Sequence, residues 1–187
     1  MGLREQLFRY RPCNAQEEAD RRRMLDCLDR FPDVLTRDNA LCHFTGSSWI
    51  ANADRTRVLM VYHNIYRSWS WTGGHADGES DLAAVALREA SEETGLRGAR
   101  LLSKELFSLE ILTVPGHVRR GQYVSAHLHL NCTYLLIADE AETLRIKPDE
   151  NSGVAWMGLS EAVSRCTEPE MQIVYSKLNE RLTGCPV

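Results

Sequence analysis

The segment from Gly73 to Leu96 constrains the fold more than any other, because a glycine-rich loop leads there into a strongly helical stretch. Residues 81–94 are rich in Ala, Leu, Arg and Glu, which favour helix, and the next residue is a glycine, as expected of a left-handed C-terminal cap. On this helix Glu89, Glu92 and Glu93 are spaced i, i+3 and i+4. That spacing places three carboxylates on one helical face.

Carboxylates this close repel one another unless a positive charge lies between them. A divalent cation that prefers oxygen ligands, Mg²⁺ or Mn²⁺, satisfies this requirement. The alternative is a solvated acidic stripe, although acids at a helix C-terminus oppose the helix dipole and slightly destabilise it. Gly73 and Gly74 precede the helix and let backbone approach a ligand closely. Together these features predict a site for a diphosphate and a metal ion.

The same segment resembles the Nudix box, G-x5-E-x7-R-E-U-x-E-E-x-G-U, in which U is aliphatic. The positions that match in register are Gly74, Arg88, Glu89, Ala90, Glu92, Glu93, Gly95 and Leu96. Ser80 replaces the first Glu of the box, with Glu79 beside it, and Thr72 replaces a frequent Pro. We interpret Ser80 as the N-cap of the helix, a position that Ser favours. The resemblance extends over roughly residues 43–180.

The resemblance implies an α/β protein with the Nudix fold, an α/β/α sandwich around a mixed β-sheet. It also implies a hydrolase that cleaves a diphosphate linkage in a nucleoside diphosphate derivative by water attack on phosphorus, with Mg²⁺ or Mn²⁺. By matching positions, Glu89, Glu92, Glu93 and the carbonyl of Gly74 would bind the metal ion. Arg88 would orient a carboxylate through a charge-assisted hydrogen bond.

The base that takes the proton of the attacking water varies within the family. We favour Glu89 or Glu93, and Glu150 and Glu110 are further candidates. Two other functions remain open at this point: a Nudix-fold binding or regulatory module without turnover, and an isopentenyl diphosphate isomerase. Retention of the helical acids favours turnover, and Cys42, at the start of a predicted strand, is the only feature that favours the isomerase.

Residues 14–30 predict a surface helix that begins at an Asn cap and ends before Pro32. This helix lies outside the resemblance, so we expect an N-terminal helical extension over residues 1–40 and a Nudix hydrolase domain over 41–185. The extension is a candidate dimer arm or lid. Strands are predicted over residues 41–51, 57–63, 68–71, 101–114, 123–138 and 154–157, and further helices over 160–165 and 169–182.

Alternation along the strand near residue 130 suggests a substrate surface. His127, His129 and Asn131 share one strand face, and leucines occupy the other. Unsatisfied polar groups are costly in a core, so we expect this face to look into a polar cleft and to bind substrate together with His75. The alternative is a solvated sheet face.

Other side chains could also contact a substrate. Arg119 and Arg120 could contact phosphate, although a solvated loop is the simpler interpretation. The aromatic residues that could stack on a base or pack in the core are Tyr66, Trp69 and Trp71.

Composition excludes several classes of partner. The chain of 187 residues carries 22 Lys and Arg against 26 Asp and Glu, and a net charge of −4 gives no basic footprint for a stable nucleic-acid partner. No apolar run reaches the about 18 residues of a membrane helix. Six scattered cysteines without a C-x-x-C pair are typical of free thiols in a reducing cytoplasm. We therefore expect a cytoplasmic enzyme whose partner is a small diphosphate.

Overall fold

The structure, a computed structural model, describes residues 1–119 and 121–184. Arg120 and Cys185, which belong to the residues considered in the sequence analysis, lie outside these ranges. The helices of the described chain are α1 (Leu3–Arg9), α2 (Ala15–Arg30), α3 (Leu82–Thr94), α4 (Leu159–Arg165) and α5 (Pro169–Gly184). Within the described ranges, no helix has the length and apolar character needed to cross a membrane.

Ten strands accompany these helices in the described ranges. They are β1 (Cys42–Ala51), β2 (Arg57–His63), β3 (Ser68–Ser70), β4 (Thr72–His75), β5 (Arg100–Leu101), β6 (Ser108–Val114), β7 (His117–Arg119), β8 (Gln122–Val124), β9 (His127–Ile137) and β10 (Asn151–Gly158). Eight of them form one sheet, and β7 and β8 form a separate antiparallel pair.

The large sheet is mixed. Its strand order is β10-β2-β1-β9-β5, with β3 paired to β2, β4 to β1 and β6 to β9. The β1–β2 and β6–β9 pairs are antiparallel. In contrast, β1 and β9 run in the same direction, because Leu128 N donates to Leu41 O and Ala138 N donates to Ala51 O. The predicted α/β class with a mixed sheet is confirmed.

Close contacts group the chain into two units. Among the described residues, the first unit comprises 1–47, 73–86 and 103–134, and the second comprises 48–72, 87–102 and 135–184. Strands β1 and β9 and helix α3 each contribute residues to both.

The two N-terminal helices belong to the first unit. Asn14 caps α2, since its side chain accepts a hydrogen bond from Glu17 N at 2.9 Å. Asp20 on α2 accepts from Ile111 N at 3.0 Å, which ties the helix to β6. Leu7 and Met24 are fully buried. The predicted helix over 14–30 is confirmed, whereas the sequence analysis missed α1.

Aromatic packing organises the second unit. Trp49 stacks on Tyr175 of α5 with ring centroids 5.2 Å apart, and Trp71 meets the same ring edge-on at 5.6 Å. The Tyr175 hydroxyl also accepts from Trp71 N at 3.2 Å. Trp69 packs edge-on against Tyr62. Trp69 and Trp71 therefore serve packing, whereas Tyr66 is 47% exposed.

Three predicted elements differ in the structure. Gly73–Gly74 was expected in a loop, but β4 continues to His75, and a Cβ on Gly73 would come within 2.3 Å of Ser47 Oγ. The close approach of β4 to β1 therefore requires glycine there. The predicted strand over 101–114 is interrupted by a turn in which Ser103 Oγ accepts from Glu105 N. The predicted strand over 123–138 is divided into β8 and β9.

The N-cap of α3 also differs from the prediction. Asp81 Oδ1 accepts from Ala84 N at 3.2 Å, which is the capping geometry, and Asp81 N in turn donates to Glu79 Oε1 at 2.8 Å. The prediction that Ser80 caps the helix is wrong, because the residue after it takes the capping position.

We therefore expect Asp81→Ala to lower the free energy of unfolding by about 0.5–2 kcal/mol in a denaturant titration. Ser80→Ala is the matched control and should change it by less than about 0.5 kcal/mol, as exposed substitutions away from caps usually do. A larger loss in the Ser80 variant than in the Asp81 variant would contradict the assignment.

Candidate active site

Three carboxylates of the second unit converge at the last turns of α3. Glu89 and Glu93 are one turn apart on the helix, and Glu150 comes from the turn before β10. One carboxylate oxygen of each lies within 4.8 Å of the other two. We call Glu89, Glu93 and Glu150 the acidic cluster. Glu93 is 4% exposed and the Glu89 side chain 14%, so two of these charges lie largely out of bulk water.

A buried asparagine positions Glu150 beside the helix. Asn151 has no exposed surface, and its Nδ2 donates to the Glu93 carbonyl oxygen at 2.9 Å. Its Oδ1 accepts from Lys147 N at 3.2 Å, and Glu150 N donates to Lys147 O at 2.8 Å. The turn over 147–150 is thereby closed and fastened to the end of α3. The sequence analysis named Glu150 only as a further base, since separation along the chain hides this contact.

Two cations neutralise the acids around the cluster. Arg88 Nη2 donates to Glu89 Oε1 at 3.1 Å, in agreement with the expected contact to a carboxylate. Lys147 Nζ lies 3.2 Å from Glu92 Oε2 and 3.0 Å from Glu150 Oε1. Burial opposes the charge of Lys147, but hydrogen bonds to Glu150 and Glu92 prevail and raise its pKa. The sequence analysis missed Lys147.

Glu92 is the predicted metal ligand that the structure leaves outside the acidic cluster. Its side chain is 46% exposed, and it pairs with Lys147 and, at 3.9 Å, with Arg88. The donor set that remains consists of carboxylate oxygens within reach of one ion. This chemistry fits Mg²⁺ or Mn²⁺, which prefer such ligands.

A second group of titratable side chains occupies the first unit. His43 on β1, His75 on β4, and His127 and His129 on β9 have ring centroids separated by 4.9–5.2 Å in five of their pairings. We call these four residues the histidine cluster. His43 is 4% exposed, and the sequence analysis missed it because only the pairing of β1 with β4 and β9 brings it beside the others.

Burial keeps members of the histidine cluster uncharged. It lowers the pKa of His129 to about 2, with the neighbouring His75 and His43 adding to the effect. Burial likewise lowers the pKa of His43. At neutral pH His43 and His129 therefore offer lone pairs and N–H groups rather than positive charge.

Asn131 is placed differently from the prediction. It is 1% exposed, and its Oδ1 accepts from Thr45 Oγ1 at 3.0 Å and from Ser47 Oγ at 2.6 Å. Its Nδ2 donates to Glu110 Oε2 at 3.1 Å. The expectation that Asn131 faces an open cleft is wrong, because neighbouring strands satisfy its polar atoms internally. Glu110, 2% exposed, belongs to this network and not to the acidic cluster.

A family model described as the NUDIX domain matches residues 45–178. The chain belongs to the Nudix family. The bis(5'-nucleosyl)-tetraphosphatase [asymmetrical] of Rattus norvegicus is 30% identical over 143 residues, which cover 73% of this chain and 89% of the rat protein. The resemblance stated from the box is confirmed, and the protein is a Nudix-type hydrolase of phosphoric anhydride bonds.

Solved Nudix structures share the fold. A C. elegans Ap4A hydrolase in a binary complex has a TM-score of 0.57 and 18% identity, and the alignment covers 75% of this chain and 98% of that one. A NUDIX family hydrolase from Clostridium perfringens has a TM-score of 0.53 and 18% identity, over 75% of this chain and 97% of that one. At these identities the likeness concerns the fold.

Lys147→Met should raise the apparent affinity for Mg²⁺ roughly 1.5- to 5-fold, as measured by isothermal titration calorimetry. Removal of an ion pair worth about 0.2–1 kcal/mol leaves the acids less neutralised, while Asn151 still holds the turn. Lys104→Met is the matched control, because Lys104 is exposed and lies on another segment. Equal affinities in all three proteins would show that Lys147 does not compete with the cation.

Proposed function

We propose that this Nudix hydrolase cleaves a phosphoric anhydride bond of a nucleoside diphosphate derivative, with Mg²⁺ or Mn²⁺ bound by the acidic cluster. A dinucleoside tetraphosphate is the substrate we propose first. The observation that carries the proposal is the convergence of Glu89, Glu93 and Glu150 within 4.8 Å. The substrate class is supported by the 30% identity to the rat tetraphosphatase over most of both chains.

The residues in and around the acidic cluster would have different roles in the hydrolysis. A divalent cation held there would supply Lewis-acid activation of water and neutralise charge on the phosphate oxygens. Arg88, which donates to Glu89, would orient that carboxylate, and either Glu89 or Glu93 would take the proton of the attacking water. Glu92, paired with Lys147, and the carbonyl of Gly74 remain predicted as further metal ligands.

Substrate binding by the first unit also remains a prediction. His75, His127 and His129 are half-buried, so each keeps surface that a ligand could contact. Imidazole nitrogens can form hydrogen bonds with a base or a sugar. Asn131 would act only indirectly, through the network that it forms with Glu110 and its neighbours.

The environment of Cys42 argues against the isomerase. Cys42 is 3% exposed, and its Sγ lies 3.8 Å from Cys27 Sγ. Burial raises the pKa of Cys42 to about 12, so at neutral pH it is a thiol and not the reactive thiolate. The retained acidic cluster likewise argues against a binding module without turnover.

The remaining expectations stay predictions. They are the division into an extension over 1–40 and a hydrolase domain over 41–185, a homodimer, the lack of a stable nucleic-acid or membrane partner, and a cytoplasmic location. Within the described ranges no disulfide joins the five cysteines Cys13, Cys27, Cys42, Cys132 and Cys166.

The experiment is a panel of dinucleoside polyphosphates, nucleoside triphosphates, ADP-ribose and sugar nucleotides, each with Mg²⁺ or Mn²⁺, with products separated by chromatography. We expect diadenosine tetraphosphate to give AMP and ATP, the asymmetric pair. Glu93→Gln should lower kcat on the order of 100-fold or more, because it removes a charge needed by the cation or the base.

Glu105→Gln is the matched control, because Glu105 is exposed in a surface turn and should leave kcat unchanged. Full activity of a Glu89→Gln, Glu93→Gln double variant would overturn the metal site. Turnover of another panel member with none of diadenosine tetraphosphate would overturn the substrate assignment alone. Activity that survives thiol alkylation would separate hydrolysis from isomerase chemistry.

A further inference from the structure

The histidine cluster contains a buried nitrogen that the proposed hydrolysis does not use. His43 is 4% exposed, and its Nε2 has no hydrogen-bond partner within the described chain. Its Nδ1 lies 3.2 Å from the carbonyl oxygen of Asn39. A carbonyl can only accept, so Nδ1 carries the proton and Nε2 presents a bare lone pair. A buried polar atom left in this state is costly unless a ligand completes it.

His127 is held in the same tautomer. Its Nδ1 donates to the carbonyl oxygen of Ser125 at 2.9 Å, so Nε2 is the ring nitrogen left to bind another partner. This atom lies 3.3 Å from Nε2 of His129. Two nitrogens bound to one tetrahedral metal at about 2.0–2.1 Å are also about 3.3 Å apart. The pair therefore already has the spacing of two ligands on a common ion.

The third and fourth imidazoles complete a donor set. Ring nitrogens of His43, His75 and His129 all lie within 4.8 Å of one another. Three hydrogen-bonded strands, β4, β1 and β9, supply these residues, so the backbone fixes their spacing. Imidazole nitrogen suits Zn²⁺ and related transition metals, whereas Mg²⁺ prefers oxygen.

We propose that the histidine cluster binds a divalent transition-metal ion of the Zn²⁺ class through His43, His75 and His129, with His127 as the fourth ligand. The histidine cluster shares no residue with the acidic cluster, and zinc binding there is a property beyond the proposed hydrolysis. It does not require that the acidic cluster bind Mg²⁺.

The surroundings of His43 have the organisation that metal-ligating histidines require. Metal-bound histidines usually donate their second N–H to a carbonyl or carboxylate, which fixes the ring. The Asn39 carbonyl that serves His43 is itself fixed, because Asn39 Oδ1 accepts from Cys42 N at 3.1 Å and Asn39 Nδ2 donates to Asp33 Oδ1 at 2.9 Å. The ligand orientation therefore rests on a chain of hydrogen bonds.

The test is metal binding by the full-length chain, without substrate. The protein is stripped with a chelator, dialysed against Zn²⁺ and then against metal-free buffer, and its zinc is counted by atomic spectroscopy. Co²⁺ replaces Zn²⁺ in a parallel titration, because its visible absorption reports tetrahedral ligation. We expect one equivalent of retained Zn²⁺ in the wild type and in the Glu89→Gln, Glu93→Gln double variant.

His129→Asn and His75→Ala should each weaken Zn²⁺ binding at least about 100-fold, since even changes behind a ligand cost 10- to 100-fold. His63→Ala is the matched control, because His63 lies on β2 in the second unit, where its Nδ1 accepts from Ile65 N, and this variant should keep its zinc. Circular dichroism verifies the fold of each variant. If only one of His129→Asn and His75→Ala folds, zinc binding by that variant alone is enough to test the proposal.

Three results would overturn the proposal. The first is retention of Zn²⁺ by both folded variants, His129→Asn and His75→Ala. The second is loss of Zn²⁺ from the Glu89→Gln, Glu93→Gln variant, which would show that the ion binds at the acidic cluster. The third is a wild type that retains no zinc. If that protein instead binds inorganic phosphate saturably, and His129→Asn abolishes the phosphate binding, the histidine cluster is an anion site.

Discussion

The hydrogen bond from the buried Asn151 side chain to the Glu93 carbonyl joins the start of β10 to the last turn of α3. A helix alone places Glu89 and Glu93 one turn apart, but it cannot supply the third carboxylate. Asn151 also accepts a hydrogen bond from Lys147 N and so closes the turn that carries Glu150. The third carboxylate therefore lies beside Glu89 and Glu93. The acidic cluster therefore depends on one amide side chain that carries no charge itself.

Electrostatic repulsion within the cluster is balanced locally. Arg88 contacts Glu89, and Lys147 contacts both Glu92 and Glu150. These cations are half-exposed or near the surface, so each pair contributes little to stability on its own. Their effect is to offset part of the repulsion among the carboxylates. The same acids would otherwise destabilise the helix end through its dipole.

The local pattern of the chain predicted much of the fold, and pairings distant in sequence account for the rest. The spacing of Glu89, Glu92 and Glu93 was enough to predict an acidic helix face, and the alternation near residue 130 placed His127 and His129 on one side of a strand. Periodicity could not show that Asn131 on the same face would be enclosed by neighbouring strands. It also could not separate Asp81 from Ser80 as the cap, since both favour that position.

Residues contributed from distant strands and turns were missed for a common reason. His43 reaches the histidine cluster through strand pairing, and Lys147 reaches the acids through a turn that Asn151 closes. No short motif surrounds either residue, so the chain shows no local sign of the role. Glu150 was named, but its place beside α3 required the fold.

Calorimetric titration of Mg²⁺ into the wild type and into Glu150→Gln tests the central claim most directly, because Mg²⁺ prefers oxygen and avoids the histidine cluster. If the three carboxylates form one site, loss of the Glu150 charge should weaken Mg²⁺ binding at least about 10-fold, with the fold and thermal stability retained. Identical Mg²⁺ affinity in the two proteins would contradict the account, since it would leave Glu150 without a part in the site.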